Sequence, residues 1–157
     1  MDIDAFWQSY LASLPKDHTH LPERPPAWYF SDSAQAADHL GELVLRGLKT
    51  GTASLYWSYQ DDQESLPSPG DLSIITNFEG QPLCLIQTTR VEVLPFDQVG
   101  PDQAAAEGEG DLSLEYWQQV HWEFFNRECR RIGRKPDRSM PVVCERFEVV
   151  FRRPTES

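Results

Sequence analysis

Beyond residue 50 the hydrophobic residues stop recurring every three or four positions and begin to alternate, and this change of period limits the architecture more than any other feature. Alternation runs through 52–57, 71–76 and 83–94 with only loops and turns between, among them Pro69-Gly70 and Asn77 to Pro82, and it returns over 142–151. Parallel neighbours in one sheet need crossovers of a dozen residues or more, so strands this close in sequence call for hairpins and a mixed sheet. The expected fold class is α+β: a small, partly closed mixed β-barrel flanked by helices, in the order α-α-β-β-β-α-β.

Helical periodicity frames that sheet. Ile3, Phe6, Trp7, Tyr10, Leu11 and Leu14 share one face of a first helix over 2–14, which stops at Pro15. Residues 16–30 carry Pro22, Pro25 and Pro26 and read as an extended strap, with His18 and His20 at its surface. A second helix over 33–46 has Ser33 or Asp32 as N-cap and Gly47 as its left-handed terminator. Ser113 caps a long helix with a stripe of Leu114, Trp117, His121, Phe124 and Phe125, which gives way to the basic run Arg127 to Arg138. One domain over 1–157 is expected, with residues 1–30 as an amino-terminal helix and strap.

No stretch approaches the roughly 18 apolar residues of a membrane span, and the acidic start Met1-Asp2-Ile3-Asp4 is unlike a secretory signal. A cytoplasmic protein without membrane partners is therefore expected. Cys84, Cys129 and Cys144 have neither disulfide nor zinc-ligand spacing and read as small buried hydrophobes. The net charge of −11 is unevenly spread: 1–126 hold five basic and twenty acidic residues, 127–153 nine basic and four acidic. A basic patch on an acidic body follows from that asymmetry.

The chain contains no dinucleotide fingerprint, P-loop, HExxH or GxSxG motif. Two stretches are dense in functional groups. Lys49 lies between a helix end and a strand, where its side chain can project into a cleft, and Thr52 and Ser54 follow it. Such a lysine serves either as a base toward Thr52 or water, or as a cation that holds phosphate; read as exposed, it contributes little to packing. Glu107, Glu109 and Asp111 alternate with glycines in an acidic loop. They are either a proton donor or hard-cation site, or a solvated linker before a helix N-terminus. His121 reads as a hydrogen-bonded core or rim residue.

Together, Gly47-x-Lys49-Thr50-x-Thr52-x-Ser54, Pro69-Gly70-Asp71, Ile86-Gln87-Thr88-Thr89-Arg90-Val91-Glu92-Val93 and Glu107-Gly108-Glu109-Gly110-Asp111-x-Ser113-Leu114-x-x-Trp117-x-x-x-His121-x-x-Phe124-Phe125 resemble the ASCH family in its longer bacterial form. The likeness spans roughly 30–151. It implies a PUA-like fold, a small β-barrel with helices around a cleft, and binding of RNA or nucleotides. Family members are associated with RNA cleavage and with amide hydrolysis of N4-acylated cytidines. In the amidohydrolase branch a Lys-x-x-Thr pair works with a downstream glutamate. That pair corresponds here to Lys49 as base and Thr52 as nucleophile, with Glu107 or Glu109 as the glutamate. Ser54 stands where the shortest members place an arginine.

Three functions follow from the resemblance. The leading expectation is an RNA-binding protein with ribonuclease activity, its cleft lined by Lys49, Thr52, Ser54 and the 107–111 loop. An amidohydrolase of N4-acylcytidine-type nucleosides is the alternative, and a non-catalytic RNA or nucleotide-binding module the third. Catalytic candidates are Lys49, Thr52, Glu107 and Glu109. Substrate-binding candidates are Ser54, Tyr56, Arg90, Asp111, Ser113 and His121. No cofactor is expected beyond, at most, a divalent cation, and the metal ligands stay open; the expected partner is RNA or a modified nucleoside.

Overall fold

The computed structural model describes residues 1–15 and 22–154, so His18, His20 and the first part of the strap lie outside the described residues. Helix α1 (Ile3–Ser13) starts under Asp2, whose carboxylate accepts the Ala5 N–H at 2.7 Å. A two-residue strand β1 (Ala27–Trp28) precedes α2 (Ala34–Leu45), which is capped by the Ser33 hydroxyl and followed by Gly47 at φ 76°. Then come β2 (Gly51–Leu55), α3 (Tyr56–Asp61), β3 (Leu72–Thr76) and β4 (Pro82–Pro95). A 3-10 turn over Phe96–Gln98 leads to α4 (Pro101–Glu107), α5 (Leu114–Ile132) and β5 (Pro141–Arg152).

The five strands form one mixed sheet in the order β1-β3-β4-β5-β2, not closed into a barrel. β1 lies parallel to β3 through Ala27↔Ile74, while β3 runs antiparallel to β4 with an irregularity between Ile75 and Thr76. β2 runs antiparallel to β5 from Gly51↔Arg146 to Leu55↔Val142. Three elements depart from the expected order. β1 is one. The second is α3: Tyr56 and Trp57 are helical where alternation predicted strand. Tertiary ties to α5 override the local pattern, because Ser58 donates to Glu128 at 2.8 Å and Arg131 forks onto Asp62 at 3.1 Å. The third is α4, which forms out of the segment expected as a loop. Pro101 fits the first turn, Ala104 to Ala106 favour helix, and Gly108 at φ 72° ends it. α5 also continues through Arg127 to Arg131 rather than dissolving there.

Contacts divide the chain into two compact units. One comprises Met1–Gly47, Leu72–Gln87 and Glu148–Ser157; its core brings Phe6 and Trp7 of α1 onto Ile74 and Leu85. The other comprises Leu48–Asp71 and Thr88–Phe147, with Leu55, Phe96, Trp117, Phe125, Met140 and Val142 at its centre. All three cysteines are buried, as expected. Among the described residues, no helix is long and apolar enough to cross a membrane.

Candidate functional site

The chain between α2 and β2 is clamped onto the end of α4. Thr50 donates from its backbone N–H (2.7 Å) and its hydroxyl (3.3 Å) to the Ala106 carbonyl. Gly108 passes so close that a Cβ there would sit 2.2 Å from the Leu48 carbonyl oxygen. This clamp turns Lys49 inward: the residue is 2% exposed, not the exposed cleft lysine the sequence suggested. Burying an unpaired ammonium would cost several kcal/mol, and two carboxylates answer it. Lys49 Nζ lies 3.7 Å from Glu107 Oε1 and 3.4 Å from Glu109 Oε2.

Glu107 is the hub, and it belongs to the last turn of a helix rather than to a flexible loop. Its Oε1 also meets His121 Nε2 at 3.1 Å, while its Oε2 accepts from the Trp117 indole N–H and from Gln103 Nε2 at 3.3 Å. Burial alone would push this carboxyl up; the His121 charge and hydrogen bond, Lys49 and the Trp117 hydrogen bond outweigh it and hold the group below the usual carboxylate range. His121 also reaches back along its own helix, with Nδ1 2.9 Å from the Trp117 carbonyl oxygen. The same ring stacks on the Trp117 indole at 4.2 Å and 15°.

A third layer fixes the hub. Arg146 Nε donates to Gln103 Oε1 at 3.0 Å, which orients the amide so that its Nε2 faces Glu107 and the Thr52 carbonyl, 3.2 Å away. Glu107, Glu109 and His121 each offer one ligand atom within 4.8 Å of the others, a donor set suited by type to a divalent cation. Lys49 already brings positive charge to two of those donors, so a metal ion would have to displace the ammonium or be repelled by it.

The ASCH domain family model matches residues 26–151. The chain belongs to the ASCH domain family. The ASCH domain of Lactobacillus crispatus JV V101 superposes with a TM-score of 0.89 at 36% identity, over 96% of this chain and 94% of that one. A protein of Enterococcus faecalis V583 superposes with a TM-score of 0.85, also at 36% identity, over 96% of this chain and 88% of its own. No curated protein matches. ASCH domains have a PUA-like fold associated with RNA binding.

Within this ASCH domain, then, four of the anticipated residues meet: Lys49, Glu107, Glu109 and His121. Thr52 touches the cluster through its carbonyl. Thr52 stands in register with Glu145 across β2 and β5, and strand alternation puts its side chain on the face opposite the one where Gly51 meets Ala106 of α4. Ser54 lies on that same far face and shares a hydrogen bond with the Tyr59 hydroxyl at 2.8 Å. Nearby, Thr88 donates to Glu145 at 2.6 Å, and burial raises the Glu145 carboxyl. Tyr56 begins α3, and exposed Arg90 pairs with Glu92 at 2.8 Å. Asp111 accepts from the Ser113 N–H and Ser113 caps α5, so both shape a helix start. Sequence reasoning missed Gln103, Trp117 as a donor, and Arg146. The spacings Gln103-x-x-x-Glu107 and Trp117-x-x-x-His121, each one helical turn, are the signal that could have found the first two.

Proposed function

We propose that this ASCH domain hydrolyses an amide on an acylated nucleoside of the N4-acylcytidine type. The observation that carries this reading is the charge at the most accessible part of the centre. Side-chain exposure is 1% for Lys49, 2% for Glu107, 11% for His121 and 20% for Glu109, so an arriving substrate meets a carboxylate first. A carboxylate at the opening repels phosphate and tolerates a neutral nucleobase. Glu107, held by four donors, is an anchor; Glu109, with Lys49 beside it, is the group placed to move a proton. In this mechanism Glu109 takes a proton from a water as its oxygen bonds to the acyl carbon, and Lys49 faces the charge that develops on the carbonyl oxygen. The C–N bond then breaks, Glu109 returns the proton to the amine nitrogen, and cytidine and a carboxylate leave.

Incubating the purified chain with N4-acetylcytidine and following cytidine by chromatography tests this. Release by the parent is expected, with a loss of about a hundredfold or more in Glu109→Gln, the scale of a lost general base, and unchanged rates in EDTA. An inert nucleoside sinks the reading. A second reading, cleavage of an RNA strand, is favoured by the arginines of α5, and fragments of a single-stranded RNA that vanish in Glu109→Gln would establish it instead.

A further inference from the structure

The solvent side of α5 carries two open grooves divided by Trp122, of about 390 Å³ toward Arg127 and Arg130 and about 320 Å³ toward Gln119 and Arg138. Trp122 is half-buried, its ring 5.5 Å from Phe96, and the Arg138 guanidinium lies 4.6 Å from its centroid. An arginine stacked this way keeps its N–H edge turned outward, ready for a phosphate. Arg130 and Arg138 are exposed, and neither forms an ion pair among the described residues. By contrast, the neighbouring Arg131 is taken by Asp62 and Glu128. Glu123 is the one acid lining the grooves, against three arginines. This local excess of positive charge stands on a chain of net charge −11, whose residues 1–126 hold twenty acids and five bases.

We infer that this face of α5 is a track for single-stranded RNA, with phosphates on Arg127, Arg130 and Arg138 and bases against Trp122 and the amides of Gln119 and Asn126. Charge complementarity selects a polyanion. The aromatic ring and side-chain amides favour unpaired bases, because a duplex keeps its base faces stacked internally. The acidic remainder of the chain repels a strand elsewhere and so confines it to this face. The track stands whether or not the Lys49 centre cleaves amides.

The test is fluorescence anisotropy of the full chain with a labelled twelve-nucleotide RNA of mixed sequence, across a salt series. The triple variant Arg127→Gln, Arg130→Gln, Arg138→Gln is expected to bind at least tenfold more weakly. Its slope of log affinity against log salt should flatten by about 2, since each phosphate contact on a single strand contributes about 0.7. Arg130→Glu alone, with an unchanged melting temperature, should weaken binding in the same direction. Unaltered affinity in both variants overturns the proposal. Equally tight binding of heparin or duplex DNA overturns it as well, by reducing the face to a nonspecific patch. If excess N4-acetylcytidine displaces the RNA, the strand sits at the Lys49 centre and the track is wrong.

Discussion

Glu107 and Glu109 approach the same ammonium from settings that differ in kind. Glu107 is 1% exposed and receives Lys49, His121, Trp117 and Gln103, whereas Glu109 keeps a fifth of its side chain in water. Removing one partner of a buried charge pair costs about 3–5 kcal/mol, so Glu107→Gln should lose about that much stability in urea unfolding at pH 7. Glu109→Gln should stay within about 1 kcal/mol, as partly exposed pairs do. The pH dependence follows from the depressed Glu107 carboxyl. A carboxyl held below its ordinary value of about 4.3 stabilises the fold above that pH and loses the contribution as the pH falls through its lower folded value. The gap between parent and Glu107→Gln should therefore be full at pH 7 and narrow progressively below about pH 4, which titrated unfolding would follow. Lys49→Ala, which the sequence alone suggested would leave the fold intact, is instead expected to destabilise it, because two carboxylates lose their shared cation.

At the scale of elements, the centre depends on how closely α4 meets the chain ahead of β2. Gly108 and Gly47 both have positive φ, but a Cβ at Gly47 meets nothing within 4 Å, whereas one at Gly108 strikes Leu48. Gly47→Ala should cost about 1 kcal/mol, the penalty of the left-handed conformation alone. Gly108→Ala should exceed 2 kcal/mol, roughly the upper end of that backbone penalty, and should reduce any activity, since Lys49 moves with Leu48. Paired melts of the two variants check the difference. The same elements set what could be read from sequence. α2 was legible because its cap, stripe and terminating glycine all lie within it, and the β3–β4 hairpin announced itself by period, whereas the pairing of β2 with β5 rather than with β3 was hidden because it joins segments some ninety residues apart. α3 was not, because what makes 56–61 helical is Glu128 and Arg131, some seventy residues away. α4 was obscured by its own end, where alternating acid and glycine looked like a linker. Lys49, Glu107, Glu109 and His121 were each visible as types, but only the clamp of Thr50 on Ala106 makes them one cluster.

For the whole molecule, charge is the dominant long-range influence. With 25 acidic against 14 basic residues, self-repulsion works against the compact state. Raising the ionic strength from about 0.05 to 0.3 M shortens the screening length from roughly 14 to 6 Å, and thermal melting should shift upward by a few degrees. A downward shift would mean that exposed pairs such as Arg131–Asp62 outweigh the repulsion.

The strand order carries one more consequence. The long strands, β4 with fourteen residues and β5 with twelve, lie inside the sheet, and its margins are β1 with two residues and β2 with five. Sheet margins are where foreign chains add by backbone hydrogen bonding, and short ones give such additions little to grip. Addition of a foreign strand at β1 or β2 is thereby discouraged.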